Sequence, residues 1–387
     1  MRICIVVAYD LAEEGGVKRH AVRLAESLRR GGDEVWIAGP SSGGDHGPFV
    51  KGFGGVVNLP GNGSDNRFGI LTPPWQVWRF FHEHKFDVVH LHEPYAPSLP
   101  YYALWSSLTS AHVCTFHSFN EHEGPVSRAA RRFFGSLVSS RYERGIAVSE
   151  PAERFARHAW TRPLAIIPNG VCTTTFSPPR ATVEDEQRPL RLLFVGHWRD
   201  ERKGLGYLLD AFAQLQRGGL AVELDVIGDG GARRAPLVEG VRFHGAISAE
   251  ASLVPRYQAC DLFVAPTTGQ ESFGIVLLEA MATARPIVCS DIDGYRQVVR
   301  EDGARFVRPL DATALADTIA ALAADPVARR RMGMANRRRA EEFDWDRLAP
   351  QVRAEYVAAL AARGTLPVGV SAPVASPTVG DRLRVAK

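Results

Sequence analysis

The sequence predicts an α/β protein built from two doubly wound domains, and three observations carry that expectation. Short apolar runs without polar alternation, the pattern of strands buried on both faces, recur along the whole chain. Segments of helical period separate them, so strand and helix alternate in both halves. A polar, proline-rich stretch at 177–189 (SPPRATVEDEQRP) divides the halves, and 387 residues suffice for two ordinary cores. No fixed period relates the halves, which excludes a repeat architecture.

In chain order, Arg2 to Ala8 reads as a buried parallel strand. Gly15-Gly16 then leads into a helix over Val17 to Arg30, with Val22, Leu24, Ala25 and Leu28 facing inward. Glu34 to Ala38 is a second strand, 41–55 a glycine-rich loop, and 61–74 (GNGSDNRFGILTPP) a polar loop long enough to be functional. Trp75 to Phe86 reads as a helix whose stripe of Trp75, Trp78 and Phe81 is expected to be core, with a membrane interface as the minority expectation. Strands follow at Phe86 to Leu91 and Val113 to Phe116.

Pro125 to Arg144 is an amphipathic helix. Phe133, Phe134, Leu137 and Val138 are apolar, and Arg128, Arg131, Arg132, Arg141 and Arg144 form a basic face, either solvated or suited to anionic lipid. Strands at Gly145 to Ser149 and Leu164 to Pro168 complete the first domain, 1–176. The second domain, 190–345, has strands at Leu190 to Gly196, Val222 to Gly228, Val241 to Gly245, Asp261 to Pro266 and Ile287 to Ser290. Helices fall at 204–215 and 312–324, a last helix at 346–362, and the tail 363–387 is expected to be disordered.

A net charge of +3 and a pI near 8.6 are too mild to imply nucleic acid as a partner. Five cysteines, Cys4, Cys114, Cys172, Cys260 and Cys289, show no CxxC spacing and read as reduced residues of a cytoplasmic protein. The opening run MRICIVVAYD is too short for a signal peptide or a span, so the chain is expected in the cytoplasm or peripheral on that face of a membrane.

The densest chemistry lies at 269–280, GQESFGIVLLEA, a strand end, a tight loop and a helix start. Amides of Ser272, Phe273, Gly274 and Ile275 are expected in the first helical turn, where unpaired N–H groups suit a phosphate. Glu271 and Glu279 frame them; carboxylates repel a diphosphate, so sugar and ribose hydroxyls are their expected partners. Taken alone, the same residues read as a helix capped by Ser272 with two solvated glutamates. GHWRDERKG places Arg202 and Lys203 at another helix entrance, where fixed positive charge would stabilise a departing phosphate. His117 follows a strand at its carboxyl end, where ligands gather in open α/β sheets; His90 and His92 rank below it. No acidic metal cage is evident, and Asp291-Ile-Asp293 reads as an ordinary loop.

ESFGIVLLEA resembles the E-x7-E signature of the retaining glycosyltransferases of family four. That resemblance implies the GT-B fold, two Rossmann-like domains facing across a cleft, with a C-terminal helix crossing back to the first domain. It implies a nucleotide-sugar donor and no tightly bound cofactor or strictly required metal. On the donor side it implies Gly16, His197, Arg202, Lys203, Ile247, Ser248, Glu271, Ser272, Phe273, Gly274, Ile275 and Glu279, with His117, Lys203 and Glu271 catalytic. His197 stands where the family usually has Arg, and cannot make the bidentate phosphate contact of a guanidinium.

Within the family the chain is most similar to the phosphatidylinositol mannosyltransferases, through Tyr9, EGGVKRH, NGS, HLHEPYAPSLP, TFHS, IAVSE and IPNGV. This implies mannose moved from GDP-mannose to an inositol phospholipid, with Tyr9, Lys18, Asn62, Ser64 and Arg67 near the acceptor. Gly61 replaces an aromatic residue of that group, and Trp75 to Phe86 lacks its basic cluster. Two alternatives stay open: a UDP-sugar with a soluble alcohol acceptor, and a nucleotide-sugar-binding or membrane-surface protein without turnover.

Overall fold

The computed structural model describes residues 1–366 except 14, 45, 62–63, 97–98, 120–123, 180–187, 231–234 and 248, with backbone alone at 59–61, 64–66, 125–127, 130 and 134. The chain forms two compact units, Met1–Gly170 with Trp345–Lys387, and Val171–Asp344. The stretch 177–189 expected as linker therefore lies within the second unit, with 180–187 outside the described residues. Its approach is tied there: Asp344 accepts from the Thr173 amide and hydroxyl, and Arg337 donates to the carbonyls of Thr173 and Phe176. The tail from 367, expected to be disordered, also lies outside the described residues.

The first unit runs β1 (Arg2–Val6), α1 (Gly16–Arg30), β2 (Glu34–Pro40), β3 (Val50–Phe53), β4 (Val57–Gly61), β5 (Ser64–Phe68) and α2 (Pro74–His84). It continues through β6 (Val88–His92), α3 (Leu99–Ser106), β7 (Ala111–Phe116), α4 (Pro125–Ser139), β8 (Arg144–Ala147), α5 (Glu150–Arg157) and β9 (Leu164–Ile166). Seven strands make a parallel sheet in the order β3-β2-β1-β6-β7-β8-β9. The pleat sends Ile3 and Ile5 toward α1, and Cys4 and Val6 toward the face covered by α2 to α5, which is why β1 is apolar from Ile3 onward.

The second unit runs β10 (Leu190–Val195), α6 (Leu205–Arg217), β11 (Val222–Ile227), β12 (Val241–Phe243), α7 (Glu250–Ala259), β13 (Leu262–Ala265), α8 (Ile275–Ala282) and β14 (Ile287–Ser290). After α9 (Asp293–Arg296) and β15 (Ala304–Val307) come α10 (Ala312–Ala323) and α11 (Pro326–Ala340). Its parallel sheet is ordered β12-β11-β10-β13-β14-β15. Leu192, Phe194, Leu224, Val226, Leu262 and Val264 pack with residues of α6, α10 and α11 in one core. The final helix, α12 (Trp345–Arg363), belongs to the first unit, packing on α1, β7 and β8 through Leu348, Val352, Tyr356 and Leu360.

Three expectations are corrected. The loop foreseen at 41–55 contains β3, and that at 61–74 contains β5, which pairs antiparallel with β4 just before it from Val57↔Phe68 to Gly61↔Ser64. Few apolar side chains mark these strands, Phe53 and Phe68 among them, so no hydrophobic period showed. Trp75 and Trp78 are 68% and 55% exposed rather than core, because α2 turns Val77, Phe80 and Phe81 inward. In α4, Phe133 and Leu137 are likewise exposed, Val138 buried. Cys4, Cys114, Cys260 and Cys289 are buried thiols and Cys172 is half-buried. Among the described residues no helix is long and apolar enough to cross a membrane.

Candidate functional site

In the second sheet β10 connects outward in both directions, to β11 and to β13, so its strand order reverses between β10 and β13. Ligands of open α/β sheets collect outside the carboxyl ends of strands at such a point. The two loops issuing there are 196–204 and 266–274, and they are joined. Thr268 N–H (2.8 Å) and the Thr267 hydroxyl (2.5 Å) donate to the Arg202 carbonyl. Gly204 stands at φ +74, and a Cβ on it would lie 1.8 Å from the Pro266 carbonyl oxygen, so only glycine permits the approach.

This junction brings Lys203 to Glu271, and their ammonium and carboxylate pair directly, each half-buried. Arg202 is held in a two-pronged pair with Asp200 (3.0 and 2.6 Å). Both cations foreseen for a diphosphate thus rest on carboxylates. Loop 269–274 carries three residues in the left-handed region: Gly269, Gln270 and Gly274. For Gln270 that conformation is strained, and strain of this kind persists where surrounding structure enforces it.

The helix start differs from expectation. Gly274, not Ser272, occupies the cap of α8, and no side chain caps it. The amides of Ser272 and Phe273 therefore precede the helix, because Gly274 at φ +90 turns the chain before the first helical residue, Ile275. Among the described residues the N–H groups of Phe273, Gly274 and Ile275 have no backbone acceptor. The Phe273 side chain is buried and packs on Phe343. Glu279 is 2% exposed and accepts from the Tyr257 hydroxyl at 2.7 Å. His197 is exposed, Ile247 half-buried after β12, and Ser248 outside the described residues. Asp291 is paired with Arg296, whose hydrogen bond holds its carboxyl below the usual range. In this pairing the DxD letters serve a local ion pair.

The first sheet reverses between β1 and β6. Gly16 opens α1. Tyr9, just beyond β1, bridges Phe68 of the hairpin and packs on its ring; its phenol is pushed up by burial and by Glu93. Arg67 of the hairpin pairs with Glu13 at 2.8 Å and approaches Asp10 at 3.7 Å. Lys18 lies in the first turns of α1, Asn62 is outside the described residues, and Ser64 is described only by its backbone in β5. Arg67 and Tyr9 are thus gathered at the β1 end by the hairpin that the sequence presented as loop.

His117 follows β7, half-buried, its Nε2 2.8 Å from Nδ1 of His92. Burial holds both imidazoles well below their ordinary pKa. His20 of α1 stands edge-on to His117 and to His92, and its Nδ1 lies 2.8 Å from Asn169 Oδ1. Burial pushes His20 down to about 4. His90 has a structural post, bonded to Tyr356 and Thr115 at 2.7 Å each.

Sequence reasoning missed Glu93, Asn169, His20 and Tyr257. Glu93, buried at φ +56, accepts from the His117 amide (2.8 Å) and the Ser118 hydroxyl (2.9 Å), fixing the strand end that carries His117. HEPYAP and IPNGV contain Glu93 and Asn169, but nothing in those strings says where the carboxylate or amide points. Gly170 admits Trp345, since a Cβ there would lie 2.6 Å from its ring.

Comparison with known proteins places this geometry. Residues 14–175 match the family model described as Glycosyltransferase Family 4, and 189–325 match that of Glycosyl transferases group 1. Phosphatidyl-myo-inositol mannosyltransferase of Mycobacterium leprae is 33% identical over 92% of this chain and 96% of its own. The protein of that description from Propionibacterium freudenreichii is 34% identical over 93% and 95%. Among solved structures, sucrose-phosphate synthase of Thermosynechococcus elongatus superposes with a TM-score of 0.71 at 21% identity, covering 93% of this chain and 99% of that one. HepE of Anabaena, in complex with UDP and glucose, gives 0.71 at 19%, covering 92% and 99%.

Proposed function

We infer a specific reaction from the premise that this chain belongs to glycosyltransferase family four: it moves mannose from GDP-mannose to the inositol of a phosphatidylinositol-type lipid, with retention of configuration. The observation that carries the proposal is the junction of Lys203, Glu271 and the open amides of Phe273 to Ile275 at the reversal point of the second sheet. The choice of mannose and of a phosphatidylinositol acceptor is supported by the names of the relatives given above, which the chain matches over nearly its whole length, and that of GDP as the carrier by the family resemblance of the sequence.

In this proposal Lys203 exchanges the Glu271 carboxylate for the donor diphosphate, which frees Glu271 for the sugar hydroxyls. The amides near Phe273 take the remaining phosphate oxygens, and Glu279, held by Tyr257, takes the ribose. Gly16, His197, Arg202, Ile247, Ser248 and Ser272 complete the donor side. The acceptor hydroxyl attacks the anomeric carbon from the face the nucleotide leaves. The new C–O bond forms as the bond to the diphosphate breaks, and the hydroxyl proton passes to the leaving phosphate. Fixed positive charge stabilises that phosphate as it departs.

Tyr9, Lys18, Asn62, Ser64 and Arg67 would meet the inositol headgroup, and His117 the reacting hydroxyl. The neutral state of His117 suits it to hydrogen-bond a sugar without adding charge. Exposed Trp75 and Trp78 and the exposed arginines Arg128 and Arg132 would rest on an anionic membrane surface, placing the enzyme peripherally on its cytoplasmic face.

The test is transfer of labelled sugar from GDP-mannose and from UDP-glucose, with phosphatidylinositol vesicles and with free inositol. Turnover is expected only with GDP-mannose and vesicles. Lys203→Ala and Glu271→Ala should each lower kcat on the order of a hundredfold or more. Preference for the UDP-sugar with a soluble acceptor would overturn the donor and the lipid together, and nucleotide binding without turnover would overturn catalysis.

A further inference from the structure

We propose that the first unit contains a transition-metal site, formed by His20, His92 and His117, which takes one divalent ion of the zinc type and leaves one coordination position open. The three residues come from separate fixed elements, α1, the end of β6 and the residue after β7. One nitrogen from each lies within 4.8 Å of the others. A tetrahedral site with metal–nitrogen bonds of about 2.0–2.1 Å spaces its ligands at about 3.4 Å. His92 Nδ1 and His117 Nε2, 2.8 Å apart, share a hydrogen bond, so to take the ion they part by about 0.6 Å while His20 turns toward them.

One further observation points to an ion. The Asn169 carboxamide oxygen accepts from Nδ1 of His20, which leaves the Nε2 lone pair for a ligand. That is the second-sphere arrangement by which metal-binding histidines are oriented. Three neutral imidazoles with no carboxylate among them select zinc, cobalt, nickel or copper over magnesium or calcium.

An ion held there occupies a nitrogen of His117. If His117 serves the acceptor as proposed above, zinc inhibits transfer; this clause rests on that reading, whereas the binding itself does not. The experiment is titration of the full-length protein with Co2+, followed by visible absorption, with Zn2+ and Mg2+ as competitors. One equivalent should give the intense band of tetrahedral Co2+, displaced by Zn2+ and unaffected by Mg2+, and Zn2+ should raise the melting temperature.

His20→Ala should weaken binding at least a hundredfold, and Asn169→Ala, which removes only the orienting group, about ten- to a hundredfold. No band in the wild-type protein overturns the proposal. So does a band that either folded variant leaves unchanged, since the ion would then sit elsewhere. Because absorbance reads binding without turnover, failure of the metal site and failure of the assigned reaction are separable.

Discussion

Gly274 is where a single hydrogen atom decides the geometry of loop 269–274. Its φ of +90 excludes ordinary side chains, and an added Cβ would lie 2.6 Å from the Tyr295 ring. Gly274→Ala should cost about 1–3 kcal/mol in denaturant unfolding and raise the donor KM by shifting the amides that follow. Unchanged stability and KM would show that the turn is soft. His112 decides a pH dependence instead. It is buried beside Ser107, Glu143, Tyr142, Arg141 and Arg363, and burial first, then Arg363, pushes it down to about 4. The unfolded imidazole takes its proton below about pH 6.5, the folded one only near 4, so stability falls as pH drops through that window. His112→Gln, which can keep the bond to Ser107, should flatten the slope by up to about 1.4 kcal/mol per pH unit in urea titrations between about pH 4 and 6.5. At this scale the sequence was partly legible. Glu271 and Glu279 were visible by spacing, whereas Tyr257 was not, because its bond to Glu279 joins α7 to α8 by tertiary packing alone.

Elements were legible where apolar period was strong. The strand at Ile287–Ser290 and the helix beginning at Ala312 emerge as expected, because burial on fixed faces imposes their patterns. The β4–β5 hairpin carries polar residues on a two-stranded ribbon, so hydrophobic period is silent there; its available signal was the Asn-Gly pair between Gly61 and Ser64. The α2 stripe misled for the opposite reason, since aromatic content indicates a surface to be covered without saying by what. Trp75 and Trp78 are exposed, so Trp75→Ala with Trp78→Ala should leave the unfolding free energy within about 0.5 kcal/mol. The same variant should bind phosphatidylinositol vesicles at least about tenfold more weakly in co-sedimentation, as moving one such side chain into apolar surroundings contributes about 1.5–3 kcal/mol. Equal binding by the variant would assign membrane contact, if any, to the α4 arginines.

The whole molecule is two parallel-sheet units, and the alternation of strand and helix disclosed both. Composition could not disclose that the first unit is completed by α12, a helix lying beyond the entire second unit in sequence. The second unit is continuous, Val171–Asp344, with its own core, so residues 171–344 expressed alone should fold, with dispersed amide resonances and cooperative melting. Residues 1–170 alone lack Trp345, Leu348, Val352, Tyr356 and Leu360, all buried against β1, α1 and their neighbours, and should be molten or aggregated by the same measurements. Adding a peptide of α12 in trans should restore order. This interleaving also sets a schedule on the ribosome. The first sheet emerges early but must wait through 174 further residues (344 − 170) for its closing helix, roughly 9–35 s at about 5–20 residues per second. The half translated later is therefore the first able to finish, and the nascent amino-terminal half is the natural client of a chaperone.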